Sequence, residues 1–385
     1  MWKAIASNAL TLFIVILFLL GGVILWGKDQ YVAEGPLEQG VCFKVESGTV
    51  FRRVAPQLEE IDAIANLTVF NIGVKYSGLE SQLKAGSFLL TPGMSMDEIA
   101  HELTRSGQSS CGSEIVYRVG VNAATAELRA TNPETGAYEE LAQFDLGAAD
   151  VPSVFVDAAA DDDTEFRVVI AEGVTSWQVL NSLSSIGVLE HDVDTVPAEG
   201  SLAPNSYYFA PGDSVSELIN EMVTAQAAIL AEAWEGRDDD LPFDTPEEAL
   251  ILASIVEKET GIAGERPQVA SVFVNRLRQG MRLQTDPTVI YGITNGEGVL
   301  GRGIRRSELD RATPYNTYQI DGLPPTPIAN PGRDAIFAAV NPDETDYIFF
   351  VAKTLNASDG HAFAVTLAEH NRNVANLRAL EAAAQ

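Results

Sequence analysis

The sequence predicts an α+β fold: an N-terminal transmembrane helix, a small strand–helix–helix–strand unit, and a mixed α/β domain after it. Three observations carry this. Residues 9–26 hold no charge. Residues 41–108 switch twice between a period of two and a period near 3.6. Residues 250–260 read as a helix that is apolar almost all round until it meets Glu257 and Glu259. A helix without a polar face is normally buried in a core, and ionised carboxylates are not buried without a partner or a task. At 385 residues the chain exceeds one ordinary core and suggests two or three domains. A net charge of −29 speaks against a nucleic-acid partner, and 46% hydrophobic residues argue for packed domains rather than disorder.

The uncharged stretch 9–26 is just long enough to cross the hydrocarbon core of a bilayer, and Trp2 and Trp26 bracket it as interfacial aromatics do. The residues after it, Gly27-Lys28-Asp29-Gln30, make a poor cleavage site, which favours an uncleaved anchor over a signal peptide. The expected layout is a short cytoplasmic tail at 1–8, an anchor at 9–28 and the acidic body outside the cytoplasm. Cys42 and Cys111 both follow the anchor. They could form one disulfide if that compartment is oxidising, or stay as two thiols. No CxxC pattern, Cys/His cluster or HExxH pair points to a metal, so no cofactor is expected.

In 41–108, alternation predicts a strand at 41–45, and Thr49 reads as the cap of a helix holding Val50, Val54, Ala55 and Leu58. A second helical stretch carries Ile61, Ile64, Leu67 and Phe70. A strand at 87–91 ends at Pro92-Gly93, and Ser95 caps a further helix with Met96, Ile99 and Leu103. The order resembles a LysM-type unit, the small fold with which many cell-wall proteins grip glycans. Residues 109–165 read as an insertion of mixed strands and loops between strands at 115–119 and 166–170. Their acidic run around 161–163 reads as a solvated loop. Helices are expected around Trp177, Leu180 and Leu183 and over 214–235. A core strand is expected at 346–351, with a terminal helix at 366–384 packed outside it.

The central helix announces itself with Thr245 at the cap, Pro246 in the first turn, and Glu247 and Glu248 behind them. Glu259 continues a stripe through Leu252, Ile255 and Val256. Glu257 continues Leu250, Ala253 and Ser254, so the two glutamates point to different faces. Spacing alone does not choose between them, and a structural ion pair with Lys258 or Arg266 is an equal reading.

Three segments then come in sequence. They are 252–260 (Leu-Ala-Ser-Ile-Val-Glu-Lys-Glu-Thr), 269–277 with Asn275 and Arg276, and 281–292 (Met-Arg-Leu-Gln-Thr-Asp-Pro-Thr-Val-Ile-Tyr-Gly). Later pieces follow: Thr313-Pro-Tyr315-Asn316-Thr317-Tyr318, Gly322-Leu-Pro-Pro325, Ile328-Ala-Asn330-Pro-Gly332, His361-Ala-Phe363 and Glu369-His370-Asn371. This ordered series closely resembles the endolytic murein transglycosylase family (MltG, or YceG-like). The anchor and the LysM-like unit match that layout, and residues 166–385 would be the YceG-like catalytic domain. The 109–165 insertion is a departure, longer than the family's usual connection.

The resemblance implies cleavage of peptidoglycan strands between N-acetylmuramic acid and N-acetylglucosamine, with 1,6-anhydromuramic acid left at the new end. Ordinary glycosidases use two carboxyl groups. A lytic transglycosylase instead recruits the sugar's own C6 hydroxyl, so one glutamate serves as acid and then as base. The family's catalytic glutamate falls on Glu259, and burial against Leu252, Ile255 and Val256 would raise its pKa as an acid requires. Glu257 would then be structural. Gln284, Thr285, Asp286 and Arg276 are expected in the cleft as substrate-binding groups, with an Asp286–Arg276 ion pair as the alternative. Tyr315, Asn316 and Tyr318 could line a glycan groove or simply pack a loop. His361 and His370 could support the site or lie on the surface. Association with peptidoglycan synthases is implied by the resemblance alone. Two rivals stand beside this reading. One is a hydrolytic muramidase using Asp286 or Glu257 as a second carboxylate. The other is a wall-binding scaffold with an inactive site.

Overall fold

The computed structural model of the chain describes residues 2–105, 109–148, 150–161 and 164–384, with backbone alone for 2–9. Two residues of the expected acidic loop, Asp162 and Asp163, lie outside the described residues. The chain forms two compact units. One comprises Met1–Ile115, Leu128–Ala142 and Pro152–Glu165, and the other Val116–Glu127, Gln143–Val151 and Phe166–Gln385.

The first unit begins with helix α1 (Trp2–Val32). Its segment Leu10–Val32 spans 23 residues at a mean hydropathy of 2.6, long and apolar enough to cross a membrane, and none of its most apolar window is buried. There follow β1 (Val41–Val45), α2 (Phe51–Glu60), α3 (Leu67–Tyr76), β2 (Gly86–Leu90) and α4 (Met96–Glu102). Strands β1 and β2 pair antiparallel, with Phe43 opposite Phe88. Phe51, Val54, Leu58, Phe70, Phe88, Leu90 and Ile99 form the core.

Local chemistry sets these helix starts. Ser95 and Glu98 form a reciprocal capping box on α4. Asn66 caps α3 by accepting from Thr68 N and Val69 N. Thr49 is not the cap expected for α2. Val50 holds that position without a side-chain bond. Ile61 and Ile64 lie ahead of α3, because α2 stops at Glu60 and the chain turns at Asp62 with φ +56°. Cys42 and Cys111 form a disulfide with Cα atoms 5.5 Å apart.

Residues 109–165 hold more regular structure than their composition suggests. They contain β3 (Ser113–Val119), β4 (Ala124–Thr131), β5 (Tyr138–Asp145) and the short α5 (Ser153–Ala159). With β6 (Glu165–Ile170) and β7 (Ser206–Phe209) these strands make a five-stranded sheet in the order β5-β4-β3-β6-β7. Strands β6 and β7 are antiparallel, joined through α6 (Ser176–Leu183).

The second unit continues with α7 (Val215–Glu235), α8 (Pro246–Glu259), α9 (Arg266–Arg278), α10 (Asp286–Thr294), the one-turn α11 (Arg306–Leu309) and α12 (Arg333–Val340). It ends with the hairpin β8 (Phe349–Ala352) and β9 (His361–Ala364), then α13 (Leu367–Ala383). Helix α8 is the centre of its core: seven consecutive-neighbourhood side chains from Ala249 to Val256 are buried, against α12, α9 and α7. Thr245 and Glu248 cap its start reciprocally. The strand expected at 346–351 begins only at Phe349, and its four residues are half-buried. It is the face of a two-stranded hairpin, not a central strand, so one side stays open.

Candidate active site

Helix α8 ends in three charged residues, and the rotation of about 100° per residue sends them to three places. Glu257 turns toward α12, where its carboxylate accepts from Gly332 N at 3.0 Å and meets the buried Arg266 guanidinium at 3.4 Å. Arg266 also binds Glu172 at 2.8 Å, closing a structural network. Lys258 donates to Gly173 O at 3.0 Å. Glu259, the last helical residue, faces the start of α10, where the Thr285 hydroxyl donates to its Oε1.

The backbone explains why Thr285 is there. Leu283 is fully buried, and the next residue, Gln284, takes a left-handed conformation at φ +50°. A non-glycine residue in that region is uncommon and is held by its surroundings. Gln284 N donates to Thr317 O at 3.2 Å, and the exposed Gln284 side chain points away from the core. The turn delivers Thr285 to the N-cap position of α10. A threonine there ordinarily bonds the first free N–H groups of its helix. Thr285 makes no such bond and gives its hydroxyl to Glu259 instead. Its own N–H donates to the Thr317 hydroxyl at 3.0 Å, which pairs with Thr288 Oγ1 at 2.9 Å. All three threonines are buried.

Burial pushes the Glu259 carboxyl above the usual carboxylate range. The Thr285 hydrogen bond works against this, Asp286 adds to it, and His361 and Arg276 oppose it. Desolvation wins. The residue as a whole reaches solvent at its edge, but its carboxyl is enclosed. Its position at the carbonyl end of a helix further disfavours a negative charge.

Of the other expected site residues, Thr285 and Asp286 meet Glu259 directly or through the field. The exposed Asp286 accepts from Tyr318 Oη at 2.7 Å. Arg276 does not pair with Asp286: its Nε donates to Ile348 O at 2.7 Å and its Nη1 to Leu283 O. It is buried and acts on Glu259 as a fixed charge. Asn316 is also buried, its amide nitrogen shared among Glu308 O, Leu309 O and Arg311 O. It holds the loop that carries Thr317 and Tyr318. The Tyr315 ring packs against Tyr291 with centroids 5.0 Å apart, and its hydroxyl pairs with Thr326 at 2.8 Å. His361 Nδ1 meets Glu265 at 2.8 Å, and His370 stacks on Phe349.

Sequence reading missed Glu199. Its carboxylate accepts from Ser176 N at 2.9 Å and from Tyr291 Oη at 3.1 Å, and burial raises its pKa. Beside it lies a cavity of about 310 Å³, walled by Lys258, Pro287, Ile290, Tyr291, Ile328 and the glycine-rich turn 296–303.

The arrangement offers an enclosed, protonatable carboxyl with a hydroxyl partner, Glu259, one residue along α8 from Lys258, which lines the cavity. A carboxyl held this way can serve as a general acid.

Comparison with known proteins agrees in one direction. The YceG-like family model matches residues 43–141 and 142–376, and the two matched segments abut inside 109–165. The endolytic murein transglycosylase of Bacillus subtilis (strain 168) is 31% identical over 356 residues, covering 92% of this chain and 89% of that protein. The protein of the same name from Streptococcus pneumoniae (strain D39 / NCTC 7466) is 27% identical over 382 residues; the match covers 94% of this chain but 64% of that longer relative. A crystal structure of a yceG-like protein from Listeria monocytogenes aligns with 25% identity and a TM-score of 0.46, over 87% of this chain and 99% of that one.

Proposed function

Because the chain belongs to the YceG-like family, we propose that it is a lytic transglycosylase that cuts peptidoglycan strands internally, between N-acetylmuramic acid and N-acetylglucosamine. The observation that carries the reading is the Glu259 carboxyl, desolvated at the end of α8 and bonded to Thr285. Protonated Glu259 donates to the glycosidic oxygen as its bond to the muramyl C1 breaks. The resulting carboxylate takes the proton of the muramyl C6 hydroxyl as O6 closes on C1, leaving a 1,6-anhydro end. A raised pKa serves the first step, and the Thr285 hydrogen bond steadies the carboxylate for the second. Glu257 is committed to Arg266 and Gly332, which leaves one glutamate at this end of the helix for chemistry.

Gln284, Thr285, Asp286, Tyr315 and Tyr318 would contact the strand, while Arg276 and Asn316 hold the walls. The unit at 41–108 would grip glycan in the manner of LysM-like modules. Helix α1 would anchor the protein once in the inner membrane, with residues 1–8 cytoplasmic and the body periplasmic. There it would meet nascent strands beside the synthases and end their elongation.

The hydrolytic alternative rests on Asp286, the carboxylate whose field Glu259 feels. Mass spectrometry of purified strands digested by the full-length chain in detergent separates the readings. Anhydro ends from the parent and none from Glu259→Gln are expected. Reducing ends would assign the attack to water, and no cleavage by either protein would favour a non-catalytic wall-binding role.

A further inference from the structure

The cavity walled by Lys258, Pro287 and Tyr291 has a charge selection that the chemistry above leaves unused. Among the described residues its only charged lining groups are Lys258 and Arg302, both cations, in a chain with 54 acids and 25 bases. Each is held in place. The Arg302 guanidinium is clamped by Glu308 at 2.6 and 2.9 Å and by Gly303 O at 2.9 Å. The Lys258 amine has three protons and gives one to Gly173 O. The remaining wall is largely apolar, with Pro287, Ile290, Ile328 and the Tyr291 ring. An anion entering such a pocket meets two positioned cations, Lys258 among apolar side chains and Arg302 at the solvent edge, where it is already paired with Glu308. The pocket's lining also includes chain neighbours of the reacting centre. Lys258 immediately precedes Glu259, and Pro287 immediately follows Asp286.

We infer that this cavity is a subsite for a carboxylate carried by the sugar next to the bond being cut. The inference rests on the reading of the chain as a murein transglycosylase. A muramyl residue bears a lactyl ether ending in a carboxyl group. In a bare strand that carboxylate is free. In a peptide-bearing strand it is an amide, and the acidic residues of the stem supply the carboxylate instead. Both sources offer the same group to Lys258 and Arg302. The subsite would set the strand's register, placing the acid-bearing sugar so that its C1–O bond lies at Glu259.

The test uses the full-length chain in detergent with Glu259→Gln, so that strands bind without being cut. Fluorescence anisotropy compares three labelled glycans: bare strands, strands with the lactyl carboxylate blocked as a methylamide, and strands carrying stem peptides. Bare strands are expected to bind about tenfold more tightly than blocked ones at low salt. Adding Arg302→Gln should abolish that ratio, and Arg302→Lys should restore part of it. Arg302 is 36% exposed on a surface turn, so its replacement spares the fold. Stem-bearing strands that depend on Arg302 in the same way place the carboxylate in the peptide; stem-bearing strands that bind as the blocked ones do place it in the lactyl group. The subsite is overturned if Arg302→Gln and Lys258→Met leave bare and blocked strands equally affected, or unaffected. Anhydro-end formation by the parent chain is measured in parallel. If it persists while this test fails, the subsite falls alone; if no strand is bound or cut, both readings fall.

Discussion

Replacing Glu259 by glutamine keeps the shape and removes the charge, and it is expected to make the protein more stable and inert together. The carboxyl ends a helix whose Leu252, Ile255 and Val256 are fully buried. Ionising it there costs desolvation, meets the carbonyl end of the helix and adds repulsion from Asp286. Thr285, His361 and Arg276 return part of that cost. The balance is a penalty on the order of 1 kcal/mol, the usual gain from relieving one such functional strain. For a unit of this size that raises Tm by about 2–4 °C. The sign follows from linkage. The folded pKa lies above the unfolded value, so at intermediate pH the folded state holds the extra proton. The parent therefore loses stability as pH rises from the unfolded value through the raised one, and the glutamine variant does not. Thermal unfolding of both proteins in detergent, from about pH 4 to pH 8, should show the variant's advantage growing with pH and vanishing at the acid end, where both side chains are neutral. Equal Tm at the alkaline end, or an advantage independent of pH, would refute the claim that Glu259 is a desolvated acid. Cleavage by the variant should fall by about 10²–10⁴-fold, the range for losing a positioned proton donor.

Three further outcomes follow from named contacts. Thr285→Val removes a bond that favours ionised Glu259, so the alkaline limb of kcat/KM should move to higher pH while kcat falls about tenfold; Thr285→Ser should keep both near the parent. Thr245→Ala opens the capping box of α8 and should cost about 1 kcal/mol, read as a lower Tm with unchanged turnover per folded molecule. Replacing Cys42 and Cys111 together by alanine opens a loop of 69 residues, and should cost up to roughly 4 kcal/mol, read as lost amide protection within β1 and β2.

What the sequence disclosed and what it hid divide by range. The start of α8 was legible because threonine, proline and two glutamates act within one turn. The same holds for Ser95 and Glu98 at α4. The Thr49 expectation failed on equally local grounds: a hydroxyl near a helix start is a cap only if the backbone brings it to the last non-helical residue, and here that residue is Val50. The site itself is long-range. Glu199 draws its partners from 23 and 92 residues away, and no periodicity marks it. Asp286 stood within reach of Arg276 on paper, yet its partner is Tyr318, 32 residues on. Arg276 found carbonyl partners instead, Ile348 O at the foot of the β8 hairpin and Leu283 O.

The three charges at the end of α8 show how one sequence run divides its labour. Spacing could say that Glu257 and Glu259 face different ways, not which way the cleft lay. Burial of α8 on α12 settles it: Glu257 inherits the packed side, where a carboxylate must be paired, and Arg266 supplies the charge. Glu259 inherits the side that α10 approaches end-on, where Asp286 sits in the field and a neutral hydroxyl is the direct partner. A cation bonded in place of Thr285 would hold Glu259 ionised and remove its use as an acid; a wholly apolar neighbour would strand the carboxylate of the second step. In the proposed mechanism a hydroxyl is the compromise that lets one residue hold the proton and then give it up. That choice costs α10 its N-terminal cap, and the cost falls where the chain needs function more than stability.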